Sequence, residues 1–189
     1  QNHIPSQYKA GLAYRYARGV VKEPAMAAQW LMSAAEQGHD EAALESAEML
    51  RLGDGIEIDI ARAVQFYRQA ASADITEAQF QLARILAADG GNADDLQQAI
   101  ILYGRAAEKQ DTRSQFALGI LFDDGTRVEQ NKKLAAQYLE MAATANITEA
   151  EYRLARIYDT GQLVDRNAAD AVQYYQRAAE KDHIPSQYY

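Results

Sequence analysis

The chain has 189 residues, with 27 acidic and 19 basic side chains, a net charge of −8 and no cysteine. This negative charge argues against nucleic acid as a partner, because phosphate binding needs a basic stripe that displaces counterions. The absence of cysteine excludes disulfides, thiolate metal sites and cysteine nucleophiles, and no apolar run is long enough to predict direct membrane insertion.

The strongest pattern is a repeat of 36 residues. An Ala-Ala pair recurs at this step without insertion or deletion, at 34–35, 70–71, 106–107, 142–143 and 178–179. Such a period is typical of arrays in which each repeat packs only on its neighbours. The sequence therefore predicts a single array over residues 1–189, with repeats at 5–40, 41–76, 77–112, 113–148 and 149–184 and the start of a sixth helix A at 185–189.

Each repeat contains two segments with the spacing of amphipathic α-helices. In the first, helix A, apolar or small residues fall at i, i+4, i+7 and i+8, as at Ala42, Ser46, Met49 and Leu50. In the second, helix B, they fall at i, i+3, i+4, i+7 and i+8, as in 63–71. These spacings predict an all-α fold of antiparallel helix pairs.

Polar residues predict where the helices begin. Thr76, Thr112 and Thr148 each precede a Gln or Glu by three residues, which predicts capping boxes at the starts of three A helices. A column of Asp and Asn predicts the N-caps of four B helices. These residues are Asp59, Asp95, Asn131 and Asn167.

Small residues form two columns that predict a close approach of helices A and B. The column on helix A is Gly11, Ala47, Ala83, Gly119 and Ala155. The column on helix B is Ala27, Ala63, Ala99, Ala135 and Ala171. Bulky residues are predicted to fill the space beside this seam, and they are Trp30, Phe66, Leu102, Tyr138 and Tyr174.

The sequence offers no catalytic constellation. His3, His39 and His183 occupy the same connector column of different repeats, so they cannot converge on one metal ion or one catalytic triad. The loop 89–95 brings three aspartates together but lacks the full calcium-binding pattern. We therefore predict no enzyme activity, no catalytic residue, no metal and no cofactor.

The segment 150–158, the turn at Gly161 and the segment 167–179 together resemble a Sel1-like repeat, which is related to tetratricopeptide repeats, and Leu118-Gly119 matches the Leu-Gly pair of that family. The resemblance implies a right-handed α-solenoid that acts as a non-catalytic scaffold or adaptor. Its A helices would line a concave face that binds a protein or peptide, as in bacterial envelope, secretion or host-interaction systems. The same analogy favours a periplasmic or secreted location over a cytoplasmic one.

The resemblance places two columns of this chain at the concave face. The first column is Leu12, Glu48, Arg84, Ile120 and Arg156, and the second is Arg15, Arg51, Ala87, Asp123 and Asp159. The second column changes from basic to acidic along the chain, and such a change would orient a bound segment. The alternative is that both columns are solvated helix faces with local ion pairs.

A third column on helix A is apolar in every copy. It contains Tyr8, Leu44, Phe80, Phe116, Tyr152 and Tyr188. Apolar residues at this spacing are predicted to pack between repeats, and the alternative is that their aromatic rings anchor a partner peptide.

The residues 3–8 recur identically at 183–188, five repeats later. This shared phase predicts end-to-end self-association, in which one copy continues the array of the next. Two further functions stay open on sequence grounds. One is a structural spacer that assembles in this way, and the other is a carbohydrate or cell-wall binding module that stacks sugars on some of the 12 tyrosines.

Overall fold

A computed structural model describes residues 3–88, 92–161 and 167–181 of the chain. Within these ranges the chain forms ten α-helices and no β-strand. In chain order the helices are α1 (Ile4–Tyr16), α2 (Pro24–Glu36), α3 (Asp40–Leu52), α4 (Ile60–Ser72), α5 (Thr76–Leu86), α6 (Ala93–Glu108), α7 (Thr112–Asp124), α8 (Lys132–Thr144), α9 (Thr148–Thr160) and α10 (Ala168–Glu180). The odd-numbered helices are the A helices and begin at steps of 36 residues, so the predicted all-α repeat of helix pairs is confirmed.

The chain divides into two compact units, residues 1–102 and 103–189, and the division falls within α6. In the first unit, each helix from α1 to α4 packs on the helix that follows it. In the second unit, the same is true of each helix from α7 to α9. Within each unit, these consecutive helices are therefore neighbours in space, as expected where the connections between them are short.

The small-residue columns lie where helix A meets helix B, and every alanine in them is buried. A Cβ atom added to Gly11 would lie 2.6 Å from Cγ of Leu31, and one added to Gly119 would lie 2.7 Å from Cγ of Leu139. Carbon atoms that are not bonded prefer separations of about 3.5–4.0 Å. The predicted close approach of the two helices is therefore confirmed, and glycine is required where leucine fills the gap.

The prediction of which bulky residues fill this seam holds only in part. Phe66 is buried, but Trp30 is 37% exposed, and Leu102, Tyr138 and Tyr174 are half-buried. The enclosed side chains are the next ones along the chain, Leu31, Tyr67, Tyr103, Leu139 and Tyr175. Both positions are bulky and apolar, and they differ by about 100° around the helix axis, so helix packing decides which of them turns inward.

The residues at the seam vary together and define two kinds of repeat. The first and fourth repeats combine glycine on helix A with leucine on helix B, at Gly11 with Leu31 and at Gly119 with Leu139. The other three combine alanine with tyrosine, at Ala47 with Tyr67, Ala83 with Tyr103 and Ala155 with Tyr175. A flat ring would leave space for a Cβ atom that a branched side chain occupies, so packing at the seam predicts this pairing.

The predicted capping boxes of the A helices are wrong by one residue. Thr76, Thr112 and Thr148 are the first residues inside α5, α7 and α9 rather than their N-caps. Asp111 caps α7, since its carboxylate accepts a hydrogen bond from the backbone amide of Ser114 at 2.8 Å. The isoleucines at the N-cap positions of α5 and α9 give no side-chain cap.

Three of the four predicted N-caps of the B helices are confirmed. Asp59, Asn131 and Asn167 each accept a hydrogen bond from a backbone amide in the first turn. Asp95 is not a cap but lies inside α6, and its own amide donates to the side chain of Asn92 at 2.8 Å. A better-placed cap therefore starts α6 at residue 93, earlier than the 36-residue step predicts.

Candidate partner-binding face

Every residue predicted to contact a partner lies on an A helix of the described chain. The first unit holds Leu12, Arg15, Glu48, Arg51 and Arg84, and the second unit holds Ile120, Asp123, Arg156 and Asp159. We refer to the surface that these residues form on each unit as the A-helix face. These residues differ in exposure. The two arginines of the first column are exposed, Asp123 is buried and the others are half-buried.

Arg15 is held between two carboxylates of the following repeat. Its guanidinium forms an ion pair with Glu45 on α3, and its Nε atom lies 3.7 Å from Oδ2 of Asp54. It also donates to the backbone carbonyl of Glu45 at 3.3 Å. Only 11% of the Arg15 side chain is exposed, so this arginine mainly joins consecutive A helices.

Glu48, Arg51 and Tyr67 form a closed polar cluster between α3 and α4. Arg51 Nη2 lies 2.6 Å from Glu48 Oε2, and the Tyr67 hydroxyl donates to Glu48 Oε1 at 2.5 Å. Arg51 Nε donates to the same hydroxyl at 3.2 Å. Burial, and then the adjacent Glu48 carboxylate, raise the pKa of Tyr67 far above its ordinary value.

Replacing Tyr67 with Phe should make the protein less sensitive to alkaline pH. Because the pKa of Tyr67 is raised in the folded state, the folded chain holds this proton more tightly than the unfolded chain does. The resulting stability is fully present below about pH 10 and is lost as the pH rises further, by up to about 1.4 kcal/mol per pH unit. Urea denaturation at about pH 9 and about pH 11 measures this loss, and equal losses for the parent and Tyr67→Phe would contradict the assignment.

Asp123 is enclosed by two cations. Its carboxylate lies 2.5 Å from Nζ of Lys132 at the start of α8 and 3.1 Å from Nη1 of Arg153 on α9. Arg153 also pairs with Asp124 and Glu149, each at 2.8 Å. The charge of Asp123 is therefore balanced within the second unit, as the charge of Arg15 is within the first. These contacts favour the alternative of local ion pairs for this part of the second column.

The solvent-facing part of the A-helix face comes mainly from the first column. Arg84 on α5 and Arg156 on α9 are exposed, and the Arg156 guanidinium lies 5.9 Å from the ring centre of Tyr152. Leu12 and Ile120 are half-buried at the equivalent positions. The A-helix face therefore presents arginine in some repeats and an aliphatic side chain in others.

The kind of repeat predicts which residue the first column carries. The glycine–leucine repeats have the aliphatic residues Leu12 and Ile120, whereas the alanine–tyrosine repeats have the charged residues Glu48, Arg84 and Arg156. In the second repeat, the tyrosine hydroxyl reaches the charged residue directly. In the sequence, the residue at Leu31 and its equivalents at steps of 36 already indicates whether the first column is aliphatic or charged. Only the helix packing shows that Leu31 and its equivalents face the seam.

The third column is half-buried in every described copy. The ring of Tyr8 lies 4.3 Å from that of His39, and the ring of Tyr152 lies 5.9 Å from that of Tyr175. These ring contacts support the expectation that the column packs within the fold. Tyr188 lies outside the described residues.

The described histidines serve as helix starts. His39 is the N-cap of α3, and its Nδ1 atom accepts from the backbone amide of Ala42 at 3.3 Å. His3 is at the N-cap position of α1, and its Nδ1 atom lies 2.9 Å from Oγ of Ser6. His183 and Asp89 lie outside the described residues. In the described ranges, no group of three histidine or acidic side chains could hold a metal ion.

No helix in the described ranges combines the length and the apolar character needed to cross a bilayer.

The sequence predicted a different role for one buried polar site. Glu151 on α9 is 0% exposed, and its carboxylate lies 2.6 Å from Nη2 of Arg177 and 2.8 Å from Nζ of Lys181. Buried polar residues also occupy the equivalent helix A position in three other repeats, as Gln7, Gln79 and Gln115. This column was predicted to cap the A helices, whereas here the side chain binds the far end of helix B.

Comparison with known proteins bears on the family and the fold. Five consecutive segments match the family model described as Sel1 repeat, at residues 4–39, 40–75, 76–111, 112–147 and 148–183. A comparison with curated protein sequences gave no match.

Several solved structures are similar. One is a protective antigen present in uropathogenic Escherichia coli strains and displaying an SLR fold, at 28% identity and a TM-score of 0.85, over 97% of this chain and 39% of that chain. Another is a Sel1 repeat protein from Oxalobacter formigenes, at 29% identity and a TM-score of 0.78, over 97% of this chain and 73% of that one. The MamA protein, at 17% identity and a TM-score of 0.61 over 98% of this chain and 94% of that one, shares the fold alone.

The chain thus spans well under half the length of the uropathogenic antigen and most of the Oxalobacter protein. Its helix pairs, its 36-residue step and the family match over five segments agree with one another. The chain belongs to the Sel1 repeat family of α-helical solenoid proteins.

Proposed function

We propose that this chain is a non-catalytic scaffold whose A-helix face binds a segment of a partner protein. Sel1 repeats commonly mediate protein–protein interactions. The observation that carries the proposal is the exposure of Arg84 and Arg156 at equivalent positions of α5 and α9, while Arg15 and Asp123 are already neutralised by neighbours. On each unit, the exposed arginine is therefore the part of the A-helix face that a partner can use.

The chemistry of the A-helix face suggests the kind of segment that it binds. A guanidinium presents several N–H donors in a plane and binds carboxylates in a bidentate manner. Leu12 and Ile120 offer half-buried aliphatic surface at equivalent positions. On each unit, we therefore expect the A-helix face to bind a segment that carries an acidic side chain toward the arginine and an apolar side chain toward the aliphatic residue.

The relatives support a bacterial setting for this partner. The uropathogenic Escherichia coli protein is a protective antigen, which is consistent with a role of this chain in a bacterial envelope, secretion or host-interaction system, in the periplasm or outside the cell.

Affinity capture from the native source tests this proposal. The parent chain should retain a partner protein that the variant Arg84→Glu with Arg156→Glu fails to retain, because the reversed charges repel the acidic segment. A matched control reverses two exposed arginines on B helices, Arg68→Glu with Arg105→Glu, and should retain the partner. Circular dichroism must show that all three proteins are equally helical. Equal retention by the parent and the first variant would contradict the proposal.

The recurrence of residues 3–8 at 183–188 favours end-to-end self-association as a second candidate function. This candidate rests on sequence, since residues 183–188 lie outside the described ranges. In the same capture experiment, an untagged copy of the chain supplies the readout. Its retention by the tagged parent and by both variants would support a structural spacer, and its absence would count against one.

A further inference from the structure

A groove of about 910 Å³ lies in the second unit between the C-terminal end of α6 and helix α8. Residues of α6 and α8 line most of it, Thr112 and Gln115 of α7 complete it, and no residue of the A-helix face is among those that line it. Leu134, Tyr138 and Met141 of α8 line it, together with the carboxylates of Glu108 and Glu140. We call this feature the α6–α8 groove.

A bridge seen between other B helices is missing in this groove. In the second repeat, Gln69 donates to the backbone carbonyl of Ala35 on the preceding B helix at 3.1 Å. In the fifth repeat, Arg177 donates to the carbonyl of Ala143 in the same way at 3.3 Å. The equivalent residue of the fourth repeat is Met141, which has no hydrogen-bond donor. The side-chain hydrogen bond that joins neighbouring B helices in the second and fifth repeats is therefore absent at Met141.

The carbonyl that Met141 would have bridged is nevertheless satisfied. The backbone oxygen of Ala107, at the end of α6, accepts a hydrogen bond from Nε2 of Gln115 at 3.2 Å. Gln115 is a buried residue of α7. In this repeat, Gln115 of helix A supplies the donor to the Ala107 carbonyl. Position 141 on helix B therefore needs no hydrogen-bond donor and can carry an apolar side chain.

Met141 is 47% exposed, unlike the other methionines of the chain, which are buried or half-buried. A single exposed apolar residue is ordinary on a protein surface. Met141, however, lies in a concave site beside the half-buried side chains of Leu134 and Tyr138. The flexible and polarisable thioether of methionine adapts to irregular apolar partners.

The charged side chains of the groove are all negative. Glu108 and Glu140 contribute carboxylates, and no lysine or arginine is among the described residues that line it. Glu140 accepts a hydrogen bond from the hydroxyl of Tyr158 at 2.5 Å. Burial, and then this carboxylate, raise the pKa of Tyr158. Charge complementarity therefore selects a cationic occupant over an acidic one.

We propose that the α6–α8 groove binds a partner-protein segment that places an apolar side chain on Met141 and a lysine or arginine beside Glu108 and Glu140. This adds a second surface to the scaffold, with a preference opposite to that of the A-helix face. It does not depend on the A-helix face, because the two sites share no residue.

Methionine-methyl NMR with a synthetic peptide tests the proposal. The probe is a short amphipathic peptide of leucine and lysine, titrated at physiological ionic strength into protein with labelled methionine methyl groups. The signal of Met141 should shift on binding, while that of the buried Met49 stays in place. Met141→Gln, which introduces the residue type of Gln69, should weaken binding about tenfold, because the peptide loses one apolar anchor.

Two controls separate this site from general attraction to an acidic protein. Val172→Gln removes an apolar side chain of α10 that is 54% exposed, and it should leave peptide binding unchanged. A charge-reversed peptide of leucine and glutamate should not shift the Met141 signal. An unmoved Met141 signal with the lysine peptide, or equal weakening by Val172→Gln, would overturn the proposal. Arg84→Glu with Arg156→Glu should leave the Met141 shift in place, so failure of one site is distinguishable from failure of the other.

Discussion

The free energy of unfolding should fall by about 3–5 kcal/mol when Arg177 and Lys181 are both replaced by methionine. Both cations contact the carboxylate of Glu151, which is 0% exposed. Their removal leaves a buried charge without a partner, and this costs much more than the ion pair contributes while it is intact. Urea denaturation followed by circular dichroism measures the change.

A third substitution isolates the electrostatic part of this effect. Glu151→Gln, added to Arg177→Met and Lys181→Met, should restore most of the lost stability, because it removes the buried charge. Glutamine is buried at the equivalent position in three other repeats, so the site can accept it. The matched control Arg105→Met with Lys133→Met removes two exposed cations and should change stability by less than about 1 kcal/mol. No rescue by Glu151→Gln would refute the assignment.

Gly119→Ala should destabilise the second unit by about 3 kcal/mol, near the upper end for overpacking of a core. The new Cβ atom would lie 2.7 Å from both Cγ and Cδ2 of Leu139, which is fully buried and cannot move aside. The matched control is Gly104→Ala in α6, where an added Cβ meets no atom within 4 Å. This control should be neutral or stabilise the helix by about 0.5–1 kcal/mol.

The pairing of residues at the seam predicts how Gly119→Ala can be compensated. The second repeat combines alanine, tyrosine and glutamate at Ala47, Tyr67 and Glu48. Placing the same set in the fourth repeat, as Gly119→Ala, Leu139→Tyr and Ile120→Glu, should recover at least about 1 kcal/mol relative to Gly119→Ala alone. Additive or worse destabilisation in the triple variant would show that the pairing does not arise from packing at this seam.

The fold was largely predictable from the sequence because each structural position recurs in all five repeats, so the residues that can fill it are seen several times. One alanine carries little information, but Ala27 and its four equivalents at a constant step require a small side chain at each pass. The same logic identified the capping residues Asp59, Asn131 and Asn167, since a cap is a local interaction within one helical turn. It failed at Asp95, where the nearby Asn92 offered a cap one turn earlier.

The candidate face was less predictable, because its decisive contacts join residues in different repeats. Arg15 and Glu45 are an example, since they form an ion pair although they lie on successive A helices. From the sequence alone, Arg15 and Asp123 of the second column look like free charges of opposite sign. The structure shows each of them held by carboxylates or cations from neighbouring elements.

By itself, the sequence determined the repeat, the helix pairs, the small-residue seam and the Sel1 family, because these depend on side-chain size and polarity at regular spacing. Tertiary structure decided which of two adjacent bulky residues faces the seam, as for Trp30 and Leu31. It also decided which charges stay exposed and that Glu151 is buried. These outcomes depend on how far each helix is rotated about its axis and on contacts between repeats. The spacing of residues along the sequence gives no information on either.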